Sequence, residues 1–311
     1  MAEIKGYAFD IEGTLYKNGK LQKGVLELFK VLSQTGKPIM FISGMNYNEV
    51  MKVVSTIKRE SNTSFNPIIA SNAGSYIYDK EIKSFPLSAD KVTSIRKTLN
   101  LIAPGSMIIY RTALNNYREK ILDTDSKLKS SVTLGLVSIL DSLHKIEIDA
   151  VPVCQKYLNS INSDNQILSL EIIIPSNSKK AKFVNELEYF KQLHITNSAS
   201  VQVSTMSKWQ ALKNVFGDSA KDVCYFGDNF NDVECLKNCD RAILCNSTKS
   251  EMFDVIETEQ KLGKNKYATI NLSDSELLKY VTGQNYSRHF MENLTSDAKS
   301  IVKDLKKEKS L

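Results

Sequence analysis

Short, continuous apolar runs alternate with helix-period segments near the start of this chain, and the runs stop at residues that can do chemistry. Tyr7-Ala8-Phe9 ends at Asp10, Pro38 to Ile42 ends at Ser43-Gly44, and Pro67 to Ala70 makes a third run. Between them Leu21, Val25, Leu28 and Leu32 recur at helical spacing, as do Val50, Val53, Val54 and Ile57. A strand that is apolar throughout must be covered on both faces, so the pattern predicts βαβ units around a doubly wound parallel sheet. Ligands of such sheets bind beyond the C-terminal strand ends, which share one edge. Two details sharpen this. Asn18-Gly19 favours a tight turn with positive φ, which predicts a small hairpin at the exit of the first strand. Ser43-Gly44, between a strand and a helix, can turn a hydroxyl and free N–H groups toward an anion.

The texture changes between about Asp79 and Ser198. Met107 to Tyr110, Ile146 to Ile148 and Leu168 to Ile174 read as strands. Asp90 to Leu101, Asn115 to Leu122 and Lys179 to Leu193 read as helices. This mixture predicts an α+β module inserted into the first domain. The α/β texture resumes with Ser207 to Phe216 as a helix, Val223 to Phe226 as a strand, Asn229 to Leu236 as a helix and Ala242 to Leu244 as a strand. The expected division is a core of 1–79 and 199–285, an inserted domain of 80–198, and a terminal segment of 286–311. In that segment Phe290, Leu294, Ala298, Ile301 and Leu305 form one stripe, which predicts an amphipathic helix with a basic tail.

Composition excludes several classes. With 311 residues, 42% of them hydrophobic and 24% charged, the chain can fill a sizeable core without staples. Its net charge is +6, and the last thirteen residues hold +3 of it, five Lys less Asp304 and Glu308. The body is nearly neutral, which argues against a nucleic-acid partner. Five cysteines (Cys154, Cys224, Cys235, Cys239, Cys245) form no framework or zinc spacing and read as buried free thiols. The N-terminus shows no signal-peptide pattern and no run is long enough to span a membrane, so a cytoplasmic location without a membrane partner is expected. Oligomeric state is not expressed in the sequence.

Four short sequences close predicted strands or open the helices after them: Asp10-Ile11-Glu12-Gly13-Thr14, Ser43-Gly44, Lys208, and Gly227-Asp228-Asn229-Phe230-Asn231-Asp232. Asp10 and Asp228 supply oxygen ligands suited to Mg²⁺, which takes one or two carboxylates together with phosphate. One carboxylate is then free to attack phosphorus and form an aspartyl-phosphate. Glu12, two residues on, can protonate a leaving oxygen and later activate water. Ser43 and Lys208 can bind the remaining phosphoryl oxygens.

In these motifs the chain resembles the haloacid dehalogenase superfamily of phosphohydrolases, most closely its Cof-type branch, whose α+β cap (C2-type) is inserted between the second and third motifs. The first motif of that family, DxDGT, stands here as DIEGT, the second as Ser43, the third as Lys208 and the fourth, GDxxND, as GDNFND. The run from Ala70 to Asp79 also resembles the branch's strand-three signature. The resemblance implies Asp10 as nucleophile and metal ligand, Glu12 as acid/base with its backbone carbonyl on the metal, and Asp228 as metal ligand. It implies Asp232 and Thr14 as supports one step removed, Asp232 holding Lys208 or a metal-bound water. Ser43, Gly44, Lys208 and Asn231 would face the phosphoryl group. The chain departs from the pattern at Glu12, where most members carry Asp, and at Trp209, where a small residue is usual. An enolase-phosphatase family also reads DIEGT, so Glu12 is compatible with turnover. The implied activity is Mg²⁺-dependent hydrolysis of a small phosphorylated metabolite, such as a sugar phosphate. A sugar phosphomutase and a degenerate binder of phosphorylated ligands are the alternatives.

Overall fold

The computed structural model describes residues 3–121, 150–152, 166–190, 192–197, 200–245, 266–269 and 272–285. Along the chain run β1 (Gly6–Phe9), β2 (Tyr16–Lys17), β3 (Lys20–Leu21), α1 (Val25–Ser33), β4 (Ile39–Ile42), α2 (Tyr47–Ser61) and β5 (Pro67–Ser71). There follow β6 (Tyr76–Tyr78), β7 (Ile82–Ser84), α3 (Ala89–Ile102), β8 (Met107–Arg111), β9 (Asn116–Lys120), β10 (Ala150–Pro152), β11 (Ser169–Ile173) and α4 (Asn177–Leu187). The last are β12 (His194–Asn197), β13 (Val201–Ser204), α5 (Lys208–Phe216), β14 (Val223–Gly227), α6 (Val233–Asn238), β15 (Arg241–Cys245), β16 (Lys266–Thr269) and α7 (Ser275–Thr282).

Contacts divide the chain into two units. One comprises Met1–Ile42, Met51–Ile68 and Lys208–Leu311, the other Ser43–Val50 and Ile69–Ser207. The residues 43–50 and 69–79 thus cluster with the insert, and the division falls inside α2 and inside β5.

The first unit is the expected doubly wound α/β core. Its strands lie in the order β16-β15-β14-β1-β4-β5, and β1 pairs in parallel with both β14 and β4. Every residue of β1, β4, β14 and β15 is buried, as a strand covered on both faces requires. Helix α1 turns Val25, Leu28, Phe29 and Leu32 inward at helical spacing. Phe29 meets Phe9 at 5.0 Å between ring centroids, and Phe9 stacks on Phe226 at 4.4 Å. The hairpin forms where Asn18-Gly19 predicts it: Lys17 pairs with Lys20, and φ is 52° at Asn18 and 76° at Gly19.

In the second unit, Ile69–Ser71 of β5 pairs antiparallel with β6, which pairs with β7. A six-stranded sheet follows in the order β10-β9-β8-β11-β13-β12, antiparallel except for β9 with β10. Helices α3 and α4 cover one face, where Val92, Ile95, Leu99, Phe183 and Leu187 meet Ile108, Leu170, Ile172 and Val203. Alternation turns Arg111, Asn116, Ser169, Glu171 and Gln202 to the other face. This is the α+β insert. One element differs from its sequence pattern: the helix read over Asn115 to Leu122 is strand β9. Tyr117 and Ile121 repeat at helical spacing, but pairing with β8 turns Glu119 toward Arg96 of α3 and leaves Asn116 beside Arg111. The strand read over Ile146 to Ile148, the helix of 286–311 and Cys154 lie outside the described residues. Among the described residues no helix is long and apolar enough to cross a membrane, and the four described cysteines are buried and free.

Candidate active site

Asp10 continues β1, its N–H bonded to the Phe226 carbonyl of β14 at 2.8 Å. The chain then turns sharply: Leu15 N–H and Tyr16 N–H both donate to the Ile11 carbonyl, and Gly13 N–H to that of Tyr16. Glycine is required in this turn. Gly13 has φ +89°, and a Cβ there would lie 2.0 Å from Asp228 Oδ2. Without that atom the loop closes onto Asp228, and Thr14 Oγ1 donates to Asp228 Oδ1 at 3.4 Å. Glu12 sits half-buried in the same turn, paired with Tyr16.

Lys208, the first residue of α5, is 1% exposed. Its Nζ donates to Asp10 Oδ1 at 2.5 Å and to Asp232 Oδ1 at 2.7 Å. Asp232 is saturated by protein donors. Tyr225 OH also donates to Oδ1 at 2.5 Å, and the N–H groups of Asp228 and Asn229 reach Oδ2 at 3.1 and 3.0 Å. Gly227 permits this closure, since a Cβ there would stand 2.6 Å from Asp232 Cγ. The Asn231 Oδ1 beside it is buried and meets no donor.

Carboxylate oxygens of Asp10, Asp228 and Asp232 lie within 4.8 Å of one another. Burial, opposed by Lys208 and reinforced by Asp232, pushes the Asp10 carboxyl up to about 7. Burial and then the charges of Asp10 and Asp232 push Asp228 up to about 8. Burial works against the Lys208 ammonium, but Asp10 and Asp232 outweigh it and hold the group well above the usual lysine range. Three carboxylates against one ammonium leave two negative charges, and the oxygen donors not saturated by protein are those of Asp10 and Asp228. The donor set and the charge fit one small divalent cation.

Ser43 and Gly44 belong to the second unit. Ser43 is buried where the chain leaves β4, its Oγ accepting from Met45 N–H at 3.2 Å and its carbonyl from Ala73 N–H at 2.8 Å. In the first unit the structure brings together Asp10, Thr14, Lys208, Asp228 and Asp232, some 200 residues apart in sequence.

One participant escapes the motif reading. It is Tyr225, whose phenol is kept protonated by burial and then by the Asp232 charge. A tyrosine inside an apolar strand must find a partner, which is the signal it offers. Arg111 of the insert is buried and paired with Glu49 and Glu171.

The family model of haloacid dehalogenase-like hydrolases matches residues 7–258, which spans both the Asp10 turn and the Asp228 turn. The chain belongs to this family. Its place is with the Cof-type members, enzymes with a Rossmann-type core and an inserted cap. Solved structures agree on the fold. A subclass IIB sugar phosphatase of the superfamily superposes with TM-score 0.63 at 14% identity, covering 86% of this chain and 94% of that one. A haloacid dehalogenase-like hydrolase from B. subtilis gives TM-score 0.65 at 14% identity over 89% of this chain and 98% of that one. A Thermotoga maritima protein gives 0.60 at 14% identity over 91% and 98%. No curated protein matches the chain by sequence.

Proposed function

We propose that this hydrolase is a Mg²⁺-dependent phosphomonoesterase acting on a small phosphorylated metabolite, such as a sugar phosphate, through an aspartyl-phosphate on Asp10. The observation that carries the reading is the Lys208 ammonium held between Asp10 and Asp232, with an Asp228 oxygen within 4.8 Å of both carboxylates. Asp10, Asp228 and the Glu12 backbone carbonyl would hold the cation, which when bound supplies charge that lets a carboxylate approach a phosphate dianion.

The remaining work falls to side chains. An Asp10 oxygen forms a bond to phosphorus as the ester P–O bond breaks, and Glu12 gives its proton to the departing alkoxide. Glu12, now a carboxylate, takes a proton from water as that water attacks phosphorus and the bond to Asp10 breaks. Lys208 binds a phosphoryl oxygen and keeps Asp10 aimed, with Asp232 and Tyr225 fixing the ammonium. Ser43, Gly44 and Asn231 bind the other phosphoryl oxygens, and the unpartnered Asn231 Oδ1 suits a water or protonated oxygen there. Thr14 steadies Asp228. In this reading 1–79 and 199–285 form the catalytic core and 80–198 the substrate-selecting cap. The free buried thiols support a reducing, cytoplasmic setting.

A panel of sugar phosphates with Mg²⁺ tests the proposal. Turnover supports it, turnover only with a bisphosphate activator makes the protein a phosphomutase, and binding without turnover makes it a degenerate binder.

A further inference from the structure

The first turn of α2, three residues beyond Ser43, is bonded to the inserted sheet. Asn46 and Glu49 form a reciprocal cap: Glu49 N–H donates to Asn46 Oδ1 at 3.0 Å and Asn46 N–H to Glu49 Oε2 at 2.8 Å. On a surface helix such a glutamate faces water. Here Glu49 is 8% exposed, and its spare lone pairs are taken by the insert. Asn116 Nδ2 donates to Oε1 at 2.9 Å and Arg111 Nη1 to Oε2 at 3.4 Å. Arg111 is itself held by Glu171 through Nη2 at 2.5 Å, and Ser200 donates to the other Glu171 oxygen at 2.8 Å. The start of α2 is tied down twice more, by Tyr47 N–H to the Ala113 carbonyl at 2.9 Å and Asn48 Nδ2 to that of Leu114 at 3.0 Å.

The Ser43 turn is held from its other side by the same unit. Asn72 N–H and Ala73 N–H donate to the carbonyls of Met45 and Ser43, both at 2.8 Å. These two non-glycine residues take left-handed φ of 54° and 57°, a strained conformation that the surrounding structure must enforce. The Asn72 side chain donates to the Thr112 carbonyl at 3.2 Å and accepts from Ser169 at 3.4 Å. Over Gly44 lies the Gln202 amide of β13, 3.3 Å from where a Cβ would stand.

We propose that Glu49 is a positioning residue, a clasp that fixes the Ser43–Gly44 turn to the inserted sheet. On the phosphatase reading, this is the turn that would bind the phosphoryl group. The kinetic half of this inference rests on the phosphatase reading, and the structural half does not.

Two measurements on the full chain test it. In the first, hydrogen exchange followed by mass spectrometry compares wild type with Glu49→Ala. Amides of 43–48 should exchange at least about tenfold faster, with those of β14 unchanged. Equal exchange at 43–48 overturns the clasp. In the second, a double-mutant cycle with Ser43→Ala reads p-nitrophenyl phosphate turnover and inhibition by inorganic phosphate. Glu49→Ala alone should weaken phosphate inhibition and kcat/KM by about tenfold, within the cost of a 1 Å misplacement. In the Ser43→Ala background it should cost less than about twofold more, because the residue it positions is gone. A full additive loss there overturns the positioning role. Glu49→Gln, which keeps one oxygen for Asn46, should recover most of the wild-type behaviour. Should Glu49→Ala not fold, Asn116→Ala, which removes one bond of the clasp, should show the same pattern at smaller amplitude, and its absence there overturns the clasp. Wild type without any turnover would sink the phosphatase reading, and the exchange result would still decide the clasp.

Discussion

Among the described residues, the Arg96–Glu119 pair of the insert and the Lys208 cluster of the core differ in charge balance. In the insert, Arg96 grips Glu119 through Nε at 2.8 and 3.0 Å and Nη2 at 2.5 Å, and Tyr110 OH donates to the same carboxylate at 2.5 Å. One cation meets one anion, and burial followed by the Glu119 charge keeps the Tyr110 phenol protonated as a donor. In the core, one ammonium meets three carboxylates, and two of those are forced up to about 7 and about 8. The first cluster closes on itself and joins α3 to the sheet. The second carries a repulsion that a bound cation would relieve, at a cost in stability without it.

The largest expected effect removes the reacting carboxylate. Asp10→Asn keeps the shape but is a poor nucleophile, and turnover of p-nitrophenyl phosphate should fall by about 10³-fold or more. Circular dichroism should show an intact fold, because one of three crowded carboxylates has been neutralised. Activity within tenfold of wild type would rule out the aspartyl-phosphate.

Next comes Glu12→Gln, which should cut hydrolysis of an alkyl phosphate by roughly 10²–10⁴-fold. The first step with an aryl phosphate should suffer less, since that leaving group barely needs a proton. A phosphoenzyme should then persist in mass spectra after a substrate pulse. Equal losses for both substrates with no trapped intermediate would leave Glu12 without an acid/base role.

The imbalance also sets a pH dependence. The usual aspartate value is 3.8, and Asp10 and Asp228 stand at about 7 and about 8 in the fold. Between pH 4 and 8 the folded chain therefore holds more protons than the unfolded one, so their contribution to stability falls as pH rises. Mg²⁺ competes with those protons, and its increase of Tm should grow from pH 5 to pH 8. A Mg²⁺ effect that is flat with pH would contradict the imbalance. The balanced cluster should behave oppositely. Glu119→Gln should cost about 1–3 kcal/mol in urea unfolding and leave kcat/KM within about threefold. A large kinetic loss there would mean that the two clusters do not differ in kind.

The core was legible because its constraints are local. Asn18-Gly19 specifies its turn, apolar runs specify buried strands, and GDNFND places Gly227, Asp228 and Asp232 at fixed offsets around one turn. The insert was legible only in part. Its strands alternate polar and apolar residues over a few positions, and Tyr117 with Ile121 mimics a helical repeat. β12 and β13 are four residues each and gave no period to read. Neither Tyr225 nor Glu49 belongs to a motif, since each acts through partners distant in sequence: seven residues away for Tyr225, and 62 and 67 for Glu49.

Unbalanced carboxylates that hold Mg²⁺ should make phosphoryl transfer depend on the ion. Initial rates of p-nitrophenyl phosphate hydrolysis by the wild-type chain, with Mg²⁺ titrated against EDTA, test it most directly. We expect no turnover in excess EDTA, a saturable rise as Mg²⁺ is restored, and loss of that rise in Asp228→Asn. Full activity in excess EDTA, or an unchanged Mg²⁺ response in Asp228→Asn, would contradict the account.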